Sequence, residues 1–384
     1  MHSHELLKKL ISFDTTSALS NLELVAFVQD YLAQYGVDSQ LVHDETGGKA
    51  NLYATIGPQD KPGVMLSGHT DVVPVKGQNW SSDPFVLTER DERLYGRGSC
   101  DMKGFIGVAM AQAQRLGSMT LREPVHLALS YDEEVGCVGV RSLIDMLAAA
   151  PFTPQFCIVG EPTEMQVATG HKGKTAGRIT TTGRAGHSAL APDALNAIHM
   201  ACDMITVLRD LQDQIAESGA QNLAYDVPYT TLHVGRIEGG IALNIVPDHT
   251  TFEFEIRNLA EDDPQALLNQ INARRDQYLE TLQTRFPEAQ IAIQITNSYP
   301  PLGTPSNAPV VSFVQGLTGS RTTFKVAFGT EGGLFSSRLN VPTVVCGPGS
   351  MAQGHKADEF VTIGQVHACD TMMETLLTRL EEGL

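Results

Sequence analysis

Short, largely apolar runs interleaved with longer segments of helical spacing most constrain how this chain can fold. Residues 64–66, Val125–Ser130 and Phe156–Val159 are of the first kind, and residues 105–116 and 138–150 are of the second. A strand apolar along its whole length has both faces buried, and helices between such strands supply the cover. The succession predicts an α/β fold around a mostly parallel sheet. Residues 52–56 are strand-like too, set off by Gly57-Pro58 and Pro62-Gly63. Ahead of them, residues 5–11 and 20–35 carry apolar positions at helical spacing, the second ending at Tyr35-Gly36.

The pattern changes after Gly170. Residues 176–182, 232–237, 251–257 and 291–295 alternate apolar and polar side chains, while 194–211 and 264–282 keep helical spacing. A β-α-β-β-α-β succession of this kind suits a small sheet with one face covered by two helices. Its uncovered alternating strand is a candidate pairing edge, so a homodimer is expected. The earlier pattern resumes near Val310, with strands at 325–327 and 343–346 and a helix at 364–380. The α+β segment 177–298 is therefore read as an insertion in a domain made of residues 1–176 and 299–384. A chain of 384 residues is too long for a single core.

The formal net charge is −17. Nucleic acids and anionic membranes both demand a basic face, so neither is an expected partner. Six cysteines lie scattered without a C-x-x-C pair, which excludes a disulfide framework and a zinc finger. They read as small core residues in a reducing compartment. Charges run through the apolar stretch 5–11, as in an amphipathic helix and unlike a signal peptide, and no stretch is apolar enough to span a bilayer. The cytoplasm is the expected location.

Chemistry gathers where the apolar runs stop. Residues 64–66 lead to His69, Val125–Ser130 to Glu133-Glu134, Phe156–Val159 to Glu161, and residues 343–346 to a Gly/Pro loop reaching His355. In open α/β sheets ligands bind outside the carboxyl ends of the strands, so these side chains should share one rim. Imidazoles and carboxylates there suit two divalent ions, Zn²⁺ first, with Co²⁺ or Mn²⁺ as alternatives. Singly, each residue has an ordinary structural reading: Asp101 as a helix N-cap, Glu133 and Glu134 as solvated turn residues. His43, His126, His199 and His233 are given only that reading. Asp71, two residues beyond His69, is placed to orient its imidazole.

Four segments carry a resemblance: Ser67-Gly68-His69-Thr70-Asp71-Val72-Val73-Pro74, Gly96-Arg97-Gly98-Ser99-Cys100-Asp101-Met102-Lys103-Gly104, Asp132-Glu133-Glu134 and Gly160-Glu161-Pro162. They resemble successive motifs of the dinuclear zinc amidohydrolases, a family that includes acetylornithine deacetylase, succinyl-diaminopimelate desuccinylase, aminoacylase and certain carboxypeptidases. The resemblance implies that Asp101 bridges two metals, with His69 and Glu161 completing one and Glu134 and His355 the other. It implies Glu133 as general base and the insertion as a lid or dimerisation domain.

His187, in Gly186-His187-Ser188, resembles the family histidine that stabilises the oxyanion from a neighbouring subunit. Asn244 and Arg257 resemble lid residues that contact substrate, the guanidinium suiting an α-carboxylate. Residues 227–232, 329–335 and 348–355 look most like the acetylornithine deacetylase branch. That branch releases acetate from N2-acetyl-L-ornithine on the way to arginine. Glu331 is expected to meet the substrate's side-chain ammonium. Acetylcitrulline, other N-acylamino acids and succinyl-diaminopimelate are the alternative substrates.

Overall fold

The computed structural model describes residues 1–117 and 119–384. It divides into two compact units. Met1–Gly170, Leu302–Val326 and Thr330–Leu384 form the first, and His171–Pro301 with Ala327–Gly329 the second.

In the first unit, the described residues form a nine-stranded sheet. Its central strands Val125–Ser130, Val64–His69, Phe156–Val159 and Thr343–Val345 are parallel. Ala50–Ile56 pairs antiparallel with Val125–Ser130 on one side, and Val167–His171 pairs antiparallel with Thr343–Val345 on the other. Every residue of the four central strands is buried, as their largely apolar character leads one to expect, with His126 and the strand-end residues among them. The covering helices owe their position to one apolar stripe each. Ser3–Ile11 buries Leu6, Leu7, Leu10 and Ile11, and Val140–Ala148 buries Val140, Leu143, Ile144 and Leu147. The helix Ser3–Ile11 packs against Lys103–Ala111. Gly107 permits this, because a Cβ there would lie 3.2 Å from the Leu7 nitrogen.

The helix expected over 105–116 begins at Lys103, ends as an α-helix at Ala111, and tightens into a 3-10 stretch, Gln112–Gly117. Lys103 hides this start from an apolar pattern. It is fully buried, its backbone N–H donates to the Gly98 carbonyl at 2.7 Å, and its Nζ donates to the Phe13 carbonyl at 2.8 Å. The strand expected at 325–327 lies at Thr323–Val326.

The second unit holds an antiparallel four-stranded sheet in the order Thr231–Gly239, His249–Arg257, Lys174–Thr182, Gln290–Tyr299. Helices Ala197–Ser218 and Pro264–Gln283 give it its own core, in which Met204, Leu208 and Ile271 meet Ile179, Phe252 and Phe254. The alternation along His249–Arg257 is the signature of one wet and one covered face. Asn196 and Asp263 cap the two helices through their side chains. Five of the six cysteines are buried and all are unpaired, and among the described residues no helix is long and apolar enough to cross a membrane.

Candidate metal centre

Strand register places the chemistry. His69 lies opposite Ser130, and Ser67 opposite Val159, so three parallel strands finish at one level of the first unit. The turn after Ser130 then carries Glu133 and Glu134, and the chain after Val159 carries Glu161. Gly160 precedes Glu161 because a Cβ there would fall 2.1 Å from the Phe105 ring. His355 arrives on the loop that follows Thr343–Val345, with a positive φ of 61°.

Asp101 does not cap the helix that begins at Lys103. Met102 occupies the N-cap position and no side chain bonds there. The Asp101 carboxylate turns to two imidazoles, with Oδ1 2.9 Å from His69 Nε2 and Oδ2 3.2 Å from His355 Nε2. Glu161 Oε1 stands 3.7 Å from His69 Nε2, and Glu134 Oε2 stands 3.0 Å from His355 Nε2. Two trios sharing Asp101 result: His69–Asp101–Glu161 and His355–Asp101–Glu134.

These residues fit a pair of divalent cations. Bonds of about 2.0–2.1 Å from a tetrahedral ion set its ligand atoms roughly 3.3 Å apart, and the four imidazole–carboxylate separations bracket that value. The donor set is nitrogen and oxygen without thiolate, suited to Zn²⁺ or its borderline neighbours. The charge balance agrees: Asp101, Glu133, Glu134 and Glu161 crowd together, and Glu134 Oε1 is buried without a hydrogen-bond partner. Ligand atoms of His69, Glu133 and Glu161 also lie within 4.8 Å of one another, as do those of His69, Asp101 and Glu134.

The electrostatics follow. Burial favours neutral His69, yet its hydrogen bonds to Asp101 and Asp71 hold the imidazole pKa well above its usual value. Asp101 is held low against its burial by His355 and His69. Burial raises Glu161, with the Asp101 charge adding to it, and lifts Glu133 to about 8. Burial and Asp101 raise Glu134. His355, half exposed, is lifted to about 10 by its bonds to Asp101 and Glu134. A cluster of carboxylates this desolvated needs positive charge among them.

Asp71 meets the His69 ring through its main chain and keeps its carboxylate nearby. The His69 ring meets the backbone carbonyl of Asp71, with Nδ1 at 2.9 Å, while the Asp71 carboxylate stands farther off at 3.6 Å. Nδ1 therefore carries the proton and Nε2 faces Asp101. The carboxylate accepts the backbone N–H of Glu133 at 3.1 Å and of Glu134 at 3.3 Å, together with the Ser17 hydroxyl at 2.7 Å. One residue thus fixes an imidazole with its main chain and the two glutamates with its side chain. Lys49 Nζ, 2.6 Å from Asp132 Oδ1, braces the same turn, and the Cys137 thiol donates to Glu133 Oε1 at 3.2 Å.

Glu331 also belongs to the first unit, at the start of helix Gly332–Leu339 and only 1% exposed. Its Oε2 accepts from the Ser67 hydroxyl at 3.2 Å, its Oε1 has no hydrogen-bond partner, and burial lifts its carboxyl to about 7. His187, Asn244 and Arg257 lie in the second unit. His187 is exposed, and its Nδ1 accepts the Ala189 N–H at 3.1 Å, capping the turn Ser188–Asp193. Asn244 is its neighbour, its carbonyl accepting the Ser188 N–H at 3.1 Å. Arg257 stands apart from these two, with Nε 3.1 Å from Glu255 Oε1 and Nη1 donating to the Tyr299 hydroxyl at 3.1 Å.

Sequence reasoning missed Glu359. It is fully buried, and its Oε1 accepts the backbone N–H groups of Cys100 at 2.9 Å and Asp101 at 3.0 Å. The one available signal was Arg97, a guanidinium between two glycines, which once buried has to find an anion.

Residues 65–379 match Peptidase family M20/M25/M40. The chain is 32% identical over 364 residues to an acetylornithine deacetylase of Photorhabdus laumondii subsp. laumondii, covering 93% of this chain and 91% of the relative. Its fold is similar to that of an M20 family metallo-carboxypeptidase from Sulfolobus solfataricus, with TM-score 0.79, 19% identity and all of both chains covered. It is also similar to a dinuclear metal-binding peptidase of the M20 family from Bacillus subtilis, with TM-score 0.65 and 14% identity over 100% of this chain and 98% of that one.

Proposed function

This chain belongs to Peptidase family M20/M25/M40 and is a metal-dependent hydrolase, and from that premise we propose that it removes the acetyl group of N2-acetyl-L-ornithine, giving L-ornithine and acetate for arginine synthesis. The observation that carries the reading is Asp101, whose two carboxylate oxygens each face a different imidazole. His69, Asp101 and Glu161 would hold one divalent cation, and His355, Asp101 and Glu134 the other, Zn²⁺ being the first choice. Bound there, the cations would supply the positive charge that polarises an amide carbonyl and acidifies water.

Glu133 takes the proton of the attacking water and returns it to the departing amine nitrogen. Its backbone is fixed by Asp71, and its carboxylate lies beside the ligand atoms of His69 and Glu161, where it can reach a water held there. In the homodimer of this reading, His187 would reach the neighbouring subunit's site and donate to its developing oxyanion, and Asn244 and Arg257 would be the residues that contact substrate, Arg257 its α-carboxylate. Glu331, buried with an oxygen that lacks a hydrogen-bond partner, meets the side-chain ammonium. The acetylornithine assignment is supported by the likeness to curated acetylornithine deacetylases over nine-tenths of the chain. A cytoplasmic homodimer is part of the same reading, paired through the second unit, where Ile237 is half exposed and Ile241 and Leu243 are exposed.

Competitive turnover tests the substrate. The purified enzyme, loaded in turn with Zn²⁺, Co²⁺ and Mn²⁺, is offered acetylornithine, acetylcitrulline, acetylmethionine and succinyl-diaminopimelate together. Free ornithine is expected to appear faster than citrulline, methionine or diaminopimelate, with growth restored in an arginine auxotroph that lacks the deacetylase. A higher kcat/KM on any other compound replaces the assignment with that substrate.

A further inference from the structure

We propose that Gln78, held by the buried Arg97–Glu359 pair, is a positioning residue that selectively sets the cation affinity of the His355 half of the metal centre. The inference rests on the two-cation reading above and concerns residues that contact neither cation nor substrate.

The relay is continuous. Glu359 Oε1 holds the backbone N–H of Asp101, at 3.0 Å. Its Oε2 accepts from Arg97 Nη1 at 2.5 Å, and both side chains are almost wholly buried. Arg97 Nη2 donates to Gln78 Oε1 at 2.6 Å, and the Trp80 indole N–H donates to that same oxygen at 3.1 Å. Gln78 Nε2 then donates to the backbone carbonyl of His355 at 3.0 Å. Asp101 and His355, 254 residues apart by their numbering, are thereby tied from behind through three side chains.

Two features give the relay a direction. Its Asp101 end is buried and charge-assisted, hence stiff. Its His355 end is solvent-exposed and anchors the ligand on the most open segment, since the His355 side chain is 52% exposed against 1% for His69. His69 has its own fixings in Asp71 and the sheet and needs none of this relay. Loosening Gln78 should therefore release the His355 imidazole alone. Outer partners of metal ligands typically set affinity within a range of about 10–100-fold, and exposure places Gln78 at the lower end.

The test is zinc stoichiometry and affinity by chelator competition on stripped protein, in the wild type, Gln78→Ala, Gln78→Glu and His355→Ala. Gln78→Glu keeps an oxygen for Arg97 and Trp80 but has no N–H for His355, so it holds the fold while cutting only the last link. Expected are two equivalents in the wild type, with one weakened about tenfold in both Gln78 variants and the other unchanged. The weakened equivalent should be the one that His355→Ala removes. The thermal midpoint of the stripped Gln78→Glu protein should match the wild type, which separates positioning from a merely structural role; Gln78→Ala, which also takes the acceptor from Arg97 and Trp80, is expected to melt lower. Two wild-type equivalents with an unaltered or evenly weakened pair in Gln78→Glu overturn the relay alone. Fewer than two in the wild type overturn the two-cation reading and the relay with it.

Discussion

Asp71→Asn isolates the residue that organises both sides of the centre. The substitution keeps size and shape but turns one acceptor oxygen into an N–H donor. At Oδ1 the new amide would face the Glu133 N–H; at Oδ2 it would face the Glu134 N–H and the Ser17 hydroxyl. A hydroxyl can turn and accept, so the amide nitrogen settles at Oδ2, leaving the partly buried Glu134 N–H without an acceptor and the cost toward the lower end of the range for a buried donor. An unpaired buried donor costs about 1–3 kcal/mol. Each kcal/mol lowers the thermal midpoint of a 150–250-residue unit by about 2–4 °C, and that of the whole 384-residue chain by less. Denaturant unfolding of metal-stripped protein measures the loss, with Ser17→Ala as comparison. That variant removes one partner of Asp71 and leaves both backbone donors satisfied, so it should cost less. An Asp71→Asn protein as stable as the wild type, or no weaker than Ser17→Ala, would refute the account of Asp71 as the organiser of the glutamate turn.

Glu133→Gln should keep both metal equivalents while kcat falls about 10²–10⁴-fold, whereas Asp101→Ala should lose metal; equal metal loss in the two shows that base and ligand have been interchanged. Glu331→Gln should narrow the preference for acetylornithine over acetylmethionine by about tenfold, the equivalent of 1.4 kcal/mol, and an unaltered ratio removes Glu331 from the substrate pocket. His171 supplies the pH dependence: burial holds its imidazole down to about 4, while the unfolded chain takes up a proton near 6.5. Between those values the unfolded state binds more protons, so this contribution is full above pH 6.5 and fades as the pH falls toward 4, by about 3 kcal/mol at most. His171→Phe should flatten that limb of the stability profile measured by denaturant unfolding, and an unchanged limb refutes the assignment.

What could be read in the sequence was whatever obeys a short period or a strand end. The runs at 64–66, Val125–Ser130 and Phe156–Val159 announced buried parallel strands, and the alternation of 176–182 and 251–257 announced a sheet wet on one face. His69, Glu134, Glu161 and His355 were visible because each stands just beyond such a run. Asp101 was harder, because an acidic residue before a helix has a cheaper explanation in capping, and only its contacts with two imidazoles remove it. Glu359, Arg97 and Gln78 left no local trace: a bond between residues 97 and 359 has no periodicity. Likewise, nothing in the order Gly68-His69-Thr70-Asp71 tells whether the main chain or the side chain of Asp71 meets the ring. The start of a helix at a buried lysine, Lys103, defeats any rule that looks for apolar stripes.

The two parallel neighbours Phe156–Val159 and Thr343–Val345 are separated in the chain by the whole of the second unit. During synthesis the ribosome therefore delivers His69, Asp101, Glu134 and Glu161 early and withholds His355 until more than 190 further residues have followed Glu161. The nascent chain must carry an unfinished sheet, with one long-range pairing outstanding, while the inserted segment emerges and folds. The strand of the central sheet made last, Thr343–Val345, is followed by the last candidate ligand, so the site can be completed only near the end of chain growth.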